Sequence, residues 1–327
     1  MLLKKNDAPL LHSAYMNNMM KAIQPHLSPV VIAQVSNELS KVRLPSQPVF
    51  PTYRLTHLAL PENVDKLIKS IESVHYLPWA NSLMNLMLHP KLHLCIELAK
   101  QYGLVGQYQQ FSWRSDPVRA FNFIRHFQDL QQTHHFNELI EGWDYAHKFS
   151  DQELSSALKA VQKESNGFAF HEFISMMDSS QLNSPQLDQF IEDVKNGFIN
   201  NLDGEQLLAI FLKKEPLLYK QMRLRFIVLT KRDFLDSPTH LTDLSFFEKI
   251  KLSVEQTHGY QIFYDPSLLN GYMQSHLFHK KTQSFREQIK QLRIYLTGTD
   301  ALYRIGCVEP TFSVLYTKVK VQSLEGA

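Results

Sequence analysis

Apolar residues along most of this chain recur three or four positions apart, the spacing that gathers them on one face of a helix. In Glu62–Tyr76 the repeating set is Val64, Leu67, Ile68, Ile71 and Val74. Trp79–Leu104 continues the pattern, with a break expected at Pro90 because proline cannot donate the helical hydrogen bond. Asp116-Pro117 opens Val118–Leu130, where Phe121, Ile124, Phe127 and Leu130 recur, and Asn137–Phe149 follows. Ser150-Asp-Gln-Glu153 has the form of a capping box, which starts a new helix running to Glu164. Gly167 separates this from Phe168–Met177. Ser184-Pro185 opens Gln186–Asn200, with Leu187, Phe190, Ile191 and Val194 inward. Leu207–Leu212 and Met222–Leu229 read as further helical pieces on either side of Pro216. Ser284–Leu296 is an amphipathic helix.

Both ends differ from this middle. Residues 1–60 carry Pro9, Pro25, Pro29, Pro45, Pro48 and Pro51, so only short helices fit there. After about residue 297 the chain is rich in β-branched and aromatic residues. There Phe312, Val314 and Tyr316 alternate with Ser313, Leu315 and Thr317, which reads as two or three short strands. The expected fold is therefore mainly α, a multi-helix bundle with a small C-terminal β appendage. It divides into a Pro-spaced N-terminal segment (1–60), a helical bundle (61–180), a further helical region (181–285), and an amphipathic helix with a β tail (286–327).

The region 233–285 holds an ordered series of short patterns. Ser237-Pro238 opens a helix with Leu241, Leu244, Phe247, Ile250 and Val254 on one face, and Gly259 stops it. Phe263, Pro266 and Leu269 form F-x-x-P-x-x-L. Gly271, Tyr272, Ser275 and Leu277 form G-Y-x-x-S-x-L on an expected second helix. The order resembles the catalytic half of the Vps-nine-type guanine nucleotide exchange domains, which act on small GTPases of the early endosome. Asp203–Lys213 resembles the helix that precedes the catalytic pair. The chain departs from that family in two ways: Phe246 and Phe247 stand where a proline is usual, and the span from acid to tyrosine is shorter.

The resemblance implies an exchange factor for endosomal Rab-type GTPases, with an all-helical fold. Asp243 would compete for the P-loop lysine that holds the nucleotide phosphates. Tyr272 would hydrogen-bond a docked switch region, and Ser275 would support it. Leu244, Phe247 and Leu277 would line the groove, and Asp236 and Asp233 are rival acids. No ubiquitin- or phosphoinositide-binding module accompanies these patterns, which would suit a bacterial effector that imitates host exchange factors. The location implied is cytoplasmic, or the host cell after secretion without a cleaved signal. The competing reading is a non-catalytic helical interaction or scaffold protein.

Composition narrows the rest. The chain has 327 residues, 34 Lys+Arg against 32 Asp+Glu, and a net charge of +2. That balance gives no reason to expect a nucleic-acid partner. The N-terminus lacks the continuous apolar core of a signal peptide, and no stretch reaches the apolar length of a transmembrane segment. No cofactor is expected, because neither G-x-G-x-x-G nor a P-loop motif occurs. The chain has 15 His. His134-His135, His171-Glu172 and the His276/His279 pair are the densest points, but none completes a ligand set, so no metal site is expected. Cys95 lies in an apolar helical pattern and reads as a core thiol. No hydrolase or transferase motif occurs. The basic run Lys213, Lys214, Lys220, Arg223, Arg225, Lys231 and Arg232 reads as a solvated helix face.

Overall fold

In the computed structural model, the residues described are Lys66, 86–103, 117–182, 184–202, 204, 206–216, 221–231, 245–264, 276–301, 303–305 and 311–318. The helices among them are α1 (Pro90–Gln101), α2 (Pro117–Gln131), α3 (His134–Glu164), α4 (Pro185–Asn201), α5 (Ser245–His258) and α6 (Phe285–Thr297). The strands are β1 (Leu86–Leu88), β2 (Gly167–Asp178), β3 (Leu207–Pro216), β4 (Gln221–Lys231), β5 (Ile262–Tyr264), β6 (Leu277–His279), β7 (Tyr303–Ile305) and β8 (Phe312–Thr317).

A six-stranded antiparallel sheet is the centre of the molecule, in the order β5-β2-β4-β3-β8, with β6 also paired to β2. This overturns the mainly α bundle with a small β appendage, and the all-α description with it. The physical reason lies in how the sheet is buried. Strands covered on both faces carry long apolar runs instead of an alternation, and such runs read like buried helix. β2, β3 and β4 span 12, 10 and 11 residues, which is also helix length. Leu207–Leu212 and Met222–Leu229 are therefore strand where a helix is expected. The C-terminal strand is correctly read as β, but β8 closes one edge of the main sheet, pairing with β3 from Ala209↔Thr317 to Lys213↔Phe312. β7 pairs instead with β1 in a separate two-stranded ribbon. One sheet thus takes strands from the 61–180, 181–285 and 286–327 segments alike.

Side chains alternate across the sheet and feed two cores. On one face Phe173, Ile210, Leu224, Phe226 and Val228 pack against Phe190, Val194 and Phe198 of α4 and Phe247, Ile250 and Val254 of α5. On the other, Phe168, Phe170, Phe211, Ile227 and Leu229 pack against Leu154, Leu158 and Val161 of α3 and Leu292, Tyr295 and Leu296 of α6. The result is a helix–sheet–helix sandwich.

Several local signals work as read. Ser184 caps α4 by accepting from the Leu187 N–H at 3.2 Å, with Pro185 in the first turn. Pro90 lies at the start of α1, not inside it. Gly259 closes α5 with φ +70°, a left-handed conformation that glycine adopts without cost. The Ser150 capping box does not work: α3 runs unbroken through it for 31 residues. Ser150 is buried in mid-helix, and Glu153 accepts a backbone hydrogen bond from Val314 of β8. The acid that would close a capping box instead occupies a donor of an edge strand. Among the described residues no helix is long and apolar enough to cross a membrane.

Candidate functional site

The helix-α6 face of the sheet is apolar only over part of its area. Toward the β2 C-terminus the alternation places Glu172, Lys213, Glu215, Arg223 and Arg225 on it, all buried. These are strand positions with period two: Lys213-x-Glu215 on β3 and Arg223-x-Arg225 on β4, with Lys213↔Arg225 and Glu215↔Arg223 as direct partners. Glu215↔Arg223 is a pair of opposite charge, which favours the ladder, whereas Lys213↔Arg225 sets two cations opposite each other, a repulsion offset by the carboxylates of Asp300, Glu172 and Glu215.

Arg225 is the hub. Its Nε donates to Glu172, its Nη1 donates to Glu215 at 2.6 Å, and its guanidinium lies over the Tyr295 ring at 4.4 Å. Tyr295 of α6 donates its hydroxyl to the second oxygen of Glu172 at 2.8 Å. Arg223 donates to Glu215 from Nε at 3.2 Å and from Nη2 at 2.5 Å. Beside this set, Lys213 donates to Asp300 and, at 3.0 Å, to the Thr311 hydroxyl. Thr311 in turn donates to Asp300 at 2.7 Å. Three cations and three carboxylates therefore neutralise one another inside the protein.

Burial and pairing compete at each group. Burial pushes the Glu215 carboxyl up, but Arg225, Arg223 and Lys213 outweigh it and hold it below the ordinary carboxylate value. Burial lowers Lys213 below an ordinary lysine, although Asp300 and Glu215 act against it. Arg225 ends well above the usual guanidinium value: burial alone would lower it, and Glu172 and Glu215 more than compensate. Burial raises the Tyr295 phenol, and the Glu172 charge adds to the rise. The array is a charged clamp that joins three strands to α6 and to Asp300 and Thr311.

The array runs out at the sheet edge. Ile174 of β2 pairs with Phe263 of β5, and Met176 stands two positions further on the same face, opposite Arg223. Met176 is 50% exposed and Phe263 43% exposed. This corner combines an open apolar pair with a paired arginine. It is the candidate functional site.

The residues that the sequence resemblance singles out are only partly within the described structure. Asp243, Leu244, Tyr272, Ser275, Asp236 and Asp233 lie outside the described residues. Phe247 is buried in the core, its ring 4.8 Å from that of Phe173, so it does not line an open groove. Leu277 lies in β6, paired with Ala169, and not on a helix. Its neighbour Phe278 stacks on Phe168 at 4.6 Å, which fixes the segment to the sheet as a strand. Lys213, Arg223 and Arg225, read as a solvated face, are interior. Glu172 is weighed in the sequence only beside His171 as a metal point and not as an ion-pair partner; Glu215, Tyr295, Asp300 and Thr311 are not singled out, and only the period-two spacing of the charges on β3 and β4 carries a sign of them. Cys95 is buried as expected, and burial raises its thiol far above the usual value. Among the described residues no group of three or more His, Cys, Asp or Glu is placed to hold a metal. No protein-family model, curated protein or solved structure matches the chain.

Proposed function

We propose that the protein acts by capturing a protein partner at the β2–β5 corner, without covalent chemistry of its own. The observation that carries the reading is the exposed pair Met176 and Phe263 beside Ile174 and Arg223. Methionine and aromatic residues are among the types enriched where proteins meet, and Arg223, buried and paired with Glu215, supports the corner from beneath. The strong charges next to the corner favour the same reading, because they are spent on one another and leave a rigid, neutral floor. Preorganised surfaces lose less entropy on binding.

The partner class is a small GTPase of the endosomal Rab type, which the ordered patterns in 233–285 imply. Phe263 belongs both to those patterns and to the exposed corner. If the GTPase is also discharged of its nucleotide, Asp243 is the acid and Tyr272 the supporting phenol. The test combines capture and exchange: immobilised wild type against a panel of small GTPases, and fluorescent-nucleotide release from each. Met176→Asp with Phe263→Asp is expected to abolish capture while the circular dichroism stays that of wild type. Capture unchanged by that pair would overturn the corner. Failure of the whole panel to bind would overturn the GTPase as partner.

A further inference from the structure

We propose that Lys213 and Asp300 condense after folding into a side-chain amide, a covalent cross-link between β3 and the short 3-10 turn Gly298–Ala301. The two residues are 87 positions apart in sequence and meet with Nζ donating to Oδ1. Their side chains are 1% and 4% exposed. Thr311 completes the arrangement. Its hydroxyl accepts from Lys213 Nζ at 3.0 Å and donates to the other oxygen of Asp300, Oδ2, at 2.7 Å. Amine, hydroxyl and carboxylate therefore form a closed ring in which each touches the other two. Glu215, the other carboxylate near Lys213, does not compete for the amine: Arg225 holds one of its oxygens and Arg223 the other.

That ring supplies each step of the condensation. An ammonium is no nucleophile, so Lys213 must first lose a proton. Burial lowers Lys213 below an ordinary lysine, although Asp300 and Glu215 act against it. The proton travels from Nζ through the Thr311 hydroxyl to Oδ2, which leaves an amine beside a neutral carboxylic acid. The amine then attacks Cγ. A nitrogen in hydrogen-bond contact with Oδ1 is already near the attack distance of about 3–3.5 Å, and reactants fixed in this way act as though highly concentrated. The Nζ–Cγ bond forms, the Cγ–Oδ2 bond breaks, and Oδ2 departs as water with a second proton from Nζ. Oδ1 stays as the amide carbonyl, and one hydrogen stays on the nitrogen. One positive and one negative charge disappear together, so the array remains neutral, and nothing is oxidised or reduced. Hydrolysis would reverse the step in bulk water, and burial keeps bulk water from the product.

Full-length protein is unfolded in denaturant and weighed by mass spectrometry. Wild type is expected to be lighter than its sequence by one water, and trypsin is expected to release a branched peptide of residues 196–214 joined to 294–304. Lys213→Met is expected to have the full sequence mass. Thr311→Val keeps the shape and removes the relay, so it is expected to slow condensation by about a hundredfold or more, and Thr311→Ser to restore it. A Thr311 that only filled space would not divide its variants in this way. Far-UV circular dichroism checks that each variant is folded, and the wild-type mass decides the matter even where one is not. Wild type at the full sequence mass after prolonged incubation at pH 7 overturns the cross-link. Water loss mapped elsewhere, such as a succinimide at Asp203-Gly204, overturns it too. Condensation undiminished in Thr311→Val overturns the relay. Lys213, Asp300 and Thr311 have no part in partner capture at the β2–β5 corner, so the two readings stand or fall separately.

Discussion

Replacing Arg225 by Met would remove the hub of the buried charge array. Glu215 would keep both of its hydrogen bonds from Arg223, at 3.2 and 2.5 Å. Glu172 would keep only the Tyr295 hydroxyl at 2.8 Å. One carboxylate would then sit in the interior without a cation, a change that costs about 3–5 kcal/mol. The double variant Glu172→Gln with Arg225→Met removes one charge of each sign, leaving Lys213 and Arg223 against Glu215 and Asp300. It is expected to recover at least about 2 kcal/mol of that loss, since replacing both partners of a buried pair is far less costly than orphaning one. Urea unfolding at pH 7, followed by far-UV circular dichroism for wild type, both singles and the double, gives the coupling energy directly. A loss below about 1 kcal/mol for Arg225→Met, or a double variant as unstable as that single, would refute the account of the array.

Four further outcomes are expected. Phe173→Ala should lose about 3–5 kcal/mol in the same unfolding assay, because the Phe173 ring packs between Phe198, Phe247 and Tyr264. Gly197→Val should destabilise by about 1–3 kcal/mol, since even a Cβ there would stand 3.1 Å from Ile250 and force α4 from α5. Stability should decline on acidification in two windows, read from urea midpoints against pH. The His171 pKa is depressed in the folded state, so the unfolded chain binds the proton first, and stability falls from the ordinary histidine value down to about 3. Glu215 is depressed too, so its contribution is full above the unfolded carboxylate value and is lost as pH falls through its folded one. Finally, iodoacetamide should leave Cys95 unmodified in native protein and label it in urea, as peptide mass mapping would report.

How much of this was legible in the sequence depended on where each segment is buried. Helices with one wet face announced themselves: α2 and α4 lie within a residue or two of their expected bounds, and Ser184-Pro185 marked a start that the hydrogen bond to Leu187 realises. The central strands did not, because β4 is buried at almost every position and so shows no alternation of wet and dry. Its two arginines added to the disguise. Arg223 and Arg225 belong to a basic run that reads as a solvated helix face, although their spacing of two puts them on one side of a strand and on opposite sides of a helix, and only their partners on β2 and β3 make burial tolerable. The closeness of His171 and His276, whose rings stand 6.2 Å apart, was illegible for a different reason: it depends on the β2–β6 pairing, just before which His276 lies, whereas in the sequence His276 stands nearest to His279. The exposed corner had one trace, Phe263, in a pattern noticed for its spacing and not for its exposure.

The partnership of β3 with β8 has a consequence for synthesis. β3 ends at Pro216 and β8 begins at Phe312, so roughly a hundred residues must leave the ribosome between them. At the usual rate of translation that is on the order of 5–20 s. Throughout that interval the β3 edge offers its amides to any other extended chain, while Lys213 waits for an aspartate not yet made. A nascent protein of this design gains from a chaperone, or from slow neighbours, until its last rung arrives.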